Sequence, residues 1–114
     1  MTNITLPWPP AALSPNARGH WSKRHKAAKA YRANCYLLCK AARLAVPDGP
    51  LSLVIEFAPP DRRSRDDDNL IASFKSGRDG IAEALGIDDA RFHTKHSFSA
   101  PIKGGAVCVR IEPR

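Results

Sequence analysis

The first 47 residues contain no aspartate or glutamate, although they hold eight of the chain's lysines and arginines. All 11 acids lie in residues 48–114, against 18 basic residues overall, which leaves a net charge of +7. A wholly basic first part and a mixed second part point to an anionic partner, nucleic acid being the commonest. A solvated basic surface is the plain alternative. No run of 18 apolar residues exists, which excludes a membrane-spanning helix. Met1–Pro7 has neither the basic stretch nor the apolar run of a signal peptide. Cysteine is scarce and odd in number: Cys35, Cys39 and Cys108. That argues against a disulfide framework and for a reducing cytoplasm. No repeat or linker divides the 114 residues, a length that suits one domain, residues 1–114.

Zinc ligation by Cys35, Cys39, His93 and His96 fits poorly. The two cysteines fall in a helical pattern. The two histidines fall in a strand-like one, where an i,i+3 pair points to opposite faces. Small buried hydrophobes are the better account of Cys35 and Cys39.

Asn3–Leu6 alternates polar and apolar and predicts a first strand, ended by Pro7, Pro9 and Pro10. Residues 11–20 read as an irregular loop. Trp21 to about Ala45 predicts a helix with Ser22 as N-cap. Trp21, Ala28, Tyr31, Cys35, Leu38 and Ala42 form one face. Another face carries Lys29, Arg32, Lys40 and Arg43, a candidate phosphate-binding surface. Leu51–Phe57 alternates as a strand. Leu70–Leu85 predicts a helix that Gly77 and Gly80 kink or break. Residues 91–98 and 105–112 predict two further strands. The order β-α-β-α-β-β suggests an α+β fold, a single-domain two-layer sandwich. Its small mixed or antiparallel sheet carries the helices on one face.

Asp66-Asp67-Asp68 needs an explanation, because three successive like charges repel. In an extended chain Asp66 and Asp68 project to one side. Two carboxylates near a helix start are half of a hard-cation site. A helix folding back would return Asp88 or Asp89 to them. Carboxylates with a nearby lysine suit metal-assisted phosphodiester hydrolysis. The metal acidifies a water, and the lysine stabilises developing charge. Arg62, Arg63 and Arg65 would position backbone phosphates. The bland reading is a helix cap at Asp68 or Asn69, with Asp66 and Asp67 drawn to the helix dipole.

At these residues the chain resembles the RusA family of Holliday-junction resolvases, in the form carried by phages and prophages. The resemblance runs from Leu6-Pro7-Trp8-Pro9-Pro10, through Asn16, Arg18 and the basic helix, to Gly86-Ile87-Asp88-Asp89. Its most specific piece is Pro60-Asp61-Arg62-Arg63-Ser64-Arg65-Asp66-Asp67-Asp68-Asn69-Leu70, against arginines followed by Asp-x-Asp-Asn. It implies a homodimeric, Mg2+-dependent endonuclease, with Mn2+ able to substitute. Such an enzyme is cytoplasmic and encoded by a bacterium, phage or prophage. It binds four-way junctions, nicks two strands symmetrically and serves DNA recombination and repair. The family's acidic ligands map onto Asp66, Asp68 and Asp89, and its asparagine onto Asn69. The family's lysine, three residues after that asparagine, falls on Ala72. Lys75 stands one turn later, followed by Asp79, as after a three-residue insertion. Asp67 also departs from the common pattern. The rival readings are a non-catalytic DNA-binding module, a nuclease preferring flaps or forks, and a protein-interaction domain.

Overall fold

A computed structural model describes every residue except Met1, Asn16 and Ser64, so Asn16 of the resemblance and Ser64 of the arginine-rich segment lie outside it. The strands are β1 (Thr2–Pro7), β2 (Leu51–Ala58), β3 (Phe92–Phe98) and β4 (Ala106–Pro113). The helices are α1 (Trp21–Ala41), α2 (Asp67–Ser73) and α3 (Lys75–Leu85). Among the described residues the strands make one mixed sheet in the order β1-β4-β2-β3. β4 runs antiparallel to both β1 and β2, whereas β2 and β3 are parallel. Parallel neighbours cannot be joined by a hairpin. The chain therefore leaves β2, passes through α2 and α3, and returns along β3. That crossover carries the acidic segment and Asp89.

Alternation sets the faces. Leu51, Leu53, Ile55 and Phe57 of β2 are buried, as are Val107, Val109 and Ile111 of β4. They share a core with Tyr31, Cys35 and Cys39 of α1 and with Ile81 and Ala82 of α3. Burying one such large side chain contributes about 1.5–3 kcal/mol. Val54, Glu56, Cys108 and Arg110 line the other face and are half-buried or exposed. The architecture is thus the expected α+β sandwich with helices on one face. No helix is long and apolar enough to cross a membrane, among the described residues.

Several local expectations change. Helix α1 is capped by His20, whose Nδ1 accepts the Ser22 N–H at 3.2 Å, not by Ser22. The helix ends at Ala41 because Arg43 turns left-handed (φ 54). There the N–H groups of Arg43 and Leu44 bond back to Lys40 and Cys39, the two-bond closure of a Schellman end. Arg43 therefore lies beyond the helix and off its basic face. The buried stripe is Tyr31, Cys35 and Cys39, while Trp21 and Leu38 of the predicted face are exposed.

The predicted helix over Leu70–Leu85 begins earlier, at Asp67, and is two helices meeting at Phe74, so the order is β-α-β-α-α-β-β. Ser73 Oγ donates to the Asn69 carbonyl at 2.7 Å, a back-bond that bends helices. Phe74 is buried edge-on against Phe57 and Tyr31. The glycines do not cause the break. They let α3 approach α1: a Cβ on Gly80 would sit 2.5 Å from the Arg32 carbonyl oxygen, and one on Gly77 2.9 Å from the Tyr31 ring. Tyr31 also anchors α1 to the sheet, its hydroxyl donating to the Pro7 carbonyl at 2.6 Å. Burial pushes that phenol well above its ordinary range.

Candidate functional site

The arginine-rich segment folds around an acid that the sequence reading passed over. Asp61 Oδ1 accepts the Arg63 backbone N–H at 2.9 Å and Arg65 Nη2 at 2.7 Å. Arg65 Nη1 donates to the carbonyls of Asp61 and Arg63 at 3.1 and 3.0 Å. The Arg63 N–H, then the Arg65 guanidinium, hold the Asp61 carboxyl down at about 2. Only 18% of the Arg65 side chain is exposed, and its guanidinium lies over the Trp8 ring at 5.8 Å. Arg65 thus builds the loop, while Arg62 and Arg63 stand exposed beside it. An Asp two residues before one arginine and four before another was the signal available for Asp61.

Asp66 ends that loop in an extended conformation (φ -81, ψ 125) and caps α2, its Oδ1 accepting the Asn69 N–H at 3.2 Å. The cap is therefore Asp66, not Asp68 or Asn69. Asp67 and Asp68 already lie in the first helical turn, so strand-like alternation does not describe them. Helix winding gathers the three exposed carboxylates at the positive end of α2, which offsets part of their repulsion. Arg63, Arg65, Asp66 and Asn69 share a hollow of about 530 Å3 with Trp8 and Pro10.

Lys75 opens α3 and pairs with Asp79 at 3.3 Å, with 71% of its side chain exposed. Ala72 lies in α2, so the break at Phe74 separates it from Lys75. Lys75, Ala72, Arg78 and His96 line a second hollow of about 290 Å3. Asp88 caps the single turn Asp89–Arg91 through the Ala90 N–H at 2.8 Å. Asp89 is held by Arg78, Nη1 to Oδ2 at 3.2 Å and Nη2 to the main-chain oxygen at 3.1 Å. Arg78 was not singled out from the sequence; its spacing of three from Lys75 was the available signal.

Asp66 and Asp68 are thus brought to one helix end, and Asp89 is taken up by Arg78. Among the described residues no group of three or more His, Cys, Asp or Glu side chains is placed to hold a metal ion. In chemical type, Asp66 and Asp68 suit a hard cation: they are exposed carboxylates, and the cap engages a single Asp66 oxygen. On α1, Lys29, Arg32 and Lys40 are exposed. Arg32 is paired across to Glu83 of α3 at 2.9 Å, and Lys40 lies over Tyr36. Cys35 and Cys39 are core residues, their thiols pushed up by burial to about 12 and about 11.

No protein-family profile matches the chain. A Xylella fastidiosa protein described as uncharacterized is 52% identical over 96 residues, 81% of this chain and 63% of that protein. The chain thus spans less than two thirds of that relative's length. The crossover junction endodeoxyribonuclease RusA of Escherichia coli K12 is 36% identical over 114 residues, covering 96% of this chain and 92% of the enzyme. The enzyme of that name from Enterobacteria phage 82 is 35% identical with the same coverage. Identity at this level, held over nearly the whole length of both chains, places this protein in the RusA family.

Proposed function

We propose that the chain is a structure-selective DNA endonuclease that resolves four-way junctions by paired symmetric nicks, with Mg2+ as cofactor. The observation that carries the reading is the exposed carboxylate cluster at the start of α2, directly after a loop rigidified by Asp61 and Arg65. A site that cuts a phosphodiester needs anchored acids beside exposed cations, and Arg62 and Arg63, the latter paired with Asp61 at 3.4 Å, supply them.

In this reading Asp66 and Asp68 would hold the cation, and Asp89, oriented by Arg78 through one carboxylate oxygen, would complete the set. The chemistry that Mg2+ would supply there is acidification of a water and neutralisation of charge on the phosphoryl oxygens. Lys75 donates to a phosphoryl oxygen as charge builds on it. Arg62, Arg63 and Asn69 orient the strand, while Lys29 and Lys40 bind more distant phosphates. The products carry a 5′-phosphate and a 3′-hydroxyl. A homodimer supplies two such sites, one for each strand of a two-fold junction.

The Arg78–Asp89 pair favours one rival, a binding module whose acids serve only as caps and ion-pair partners. A panel of labelled four-way junction, flap, fork and linear duplex in Mg2+ decides between them. Paired nicks confined to the junction support resolution. Cutting confined to the flap or fork makes this a different nuclease. Tight binding with no cutting on any of them supports the module.

A further inference from the structure

Trp21 is the first residue of α1, and 71% of it is exposed, the most of any large hydrophobic described as exposed. An indole left in water forgoes a large burial energy. It is also held in place. The His20 ring lies 5.5 Å from it, tilted by 36°, and the His25 ring lies 6.4 Å away edge-on. His20 cannot swing freely, because its Nδ1 caps the helix on Ser22 N–H and contacts Ser22 Oγ at 2.8 Å. Around the indole stand Arg18, Lys23 and Arg24, all exposed. Trp21, Gly19 and Arg18 border a hollow of about 240 Å3.

Phosphate alone would account for the cations but not for the indole. A second copy packed two-fold against this patch would bring the same positive charge onto it. A protein surface of ordinary mixed charge gains little from three basic side chains in a stretch of 47 residues that holds no acid. A base face does account for the indole, because every nucleobase can stack on an aromatic ring while cations follow the backbone. In duplex DNA the base faces already cover one another, so the ligand is a base that is unstacked.

We infer that Trp21, fixed between His20 and His25, is a stacking platform for an unstacked nucleobase of a DNA strand. The inference rests on the endonuclease reading and adds a contact apart from the acidic cluster. The single turn Ala11–Leu13 connects the two regions: Ala11 borders the hollow beside Asp66, and Ala12 the hollow beside Trp21. A strand whose phosphates lie at Asp66 passes that turn to reach the indole.

The test compares Trp21→Ala and Trp21→Phe with the unchanged chain. Probes are an oligothymidylate, a four-way junction with unpaired bases at its centre, and a blunt duplex. Trp21→Ala weakens binding to the first two by about tenfold or more, the scale of one lost stacking contact. Trp21→Phe retains most of the affinity, and the blunt duplex binds all three proteins alike. In a Trp8→Phe background, emission from Trp21 is quenched by oligothymidylate. Unaltered binding of Trp21→Ala, with junction cutting intact, overturns the platform and leaves the endonuclease reading standing. Emission that follows protein concentration and ignores DNA assigns the indole to a contact between copies and also overturns it. A native chain that binds none of the three DNAs removes both readings together.

Discussion

Arg78 grips Asp89 at two points, the carboxylate at 3.2 Å and the main-chain oxygen at 3.1 Å. This ties the middle of α3 to the turn that follows it. Among the described residues, Arg78 Nε is buried without a hydrogen-bond partner. A half-exposed ion pair contributes about 0–1 kcal/mol, whereas an unsatisfied buried donor costs about 1–3 kcal/mol. The two offset each other, so the pair is not there chiefly for stability.

Arg78→Met therefore changes unfolding free energy by less than about 1 kcal/mol, its side chain still covering the Phe92 ring. Junction cleavage falls by about tenfold or more, because Asp89 loses its guide. Urea titration and single-turnover cleavage on the same preparation check both halves. A large loss of stability with unchanged cleavage would contradict this account.

Asp66 serves two purposes that substitution separates. Asn is as good an N-cap as Asp, whereas Ala costs about 1 kcal/mol. Asp66→Asn is thus expected to unfold like the parent, and Asp66→Ala at lower denaturant. Cleavage falls in both by about 100-fold or more, the scale of losing a transition-state charge partner. Full activity in Asp66→Asn would reduce Asp66 to a cap.

Gly80 is a close-packing position. Gly→Ala in a helix interior gains about 1 kcal/mol from propensity alone. Here the added carbon meets the Arg32 carbonyl at 2.5 Å, and backbone of a 21-residue helix does not yield easily. Overpacking of this kind costs about 1–3 kcal/mol, so Gly80→Ala is expected to lower the urea midpoint without altering the slope. A raised midpoint would mean the α1–α3 contact is loose.

Asp61 gives the loop a pH dependence of known sign. Its carboxyl is lowered from 3.8 to about 2, first by the Arg63 N–H and then by Arg65. A depressed acid stabilises the folded loop above its ordinary range, and that stabilisation is lost as pH falls through about 2. Carboxyl NMR of the folded chain should show this midpoint, and Asp61→Asn should remove the titrating signal. A midpoint near 3.8 would mean that the arginines do not hold the carboxylate.

The sheet was legible in the sequence because alternation is a local property. Leu51, Leu53, Ile55 and Phe57 carry it in β2, as do Val107, Val109 and Ile111 in β4. The helix ends were less so. The break at Phe74 depends on the Ser73 back-bond and a ring buried against β2 and α1, neither of which periodicity reports. The end of α1 relies on Arg43 in a conformation that usually selects glycine. At the site, the cluster Asp66–Asp68 and the offset of Lys75 were readable as spacing. The capping role of Asp66 was not, because it required knowing where the helix began. The pairing of Arg78 with Asp89 spans 11 residues and a change of direction at the end of α3, which only the folded chain defines.

The most direct test is cleavage of a strand-labelled four-way junction by the native chain and by Asp68→Asn, each with Mg2+ and with EDTA. Asp68 lies in the first turn of α2 and does not cap it, so its loss leaves that cap in place. The account predicts symmetric paired nicks from the native chain in Mg2+ alone, and none from Asp68→Asn despite continued binding. Equal cutting by Asp68→Asn, or cutting that persists in EDTA, would contradict a cation held by the acidic cluster at the start of α2.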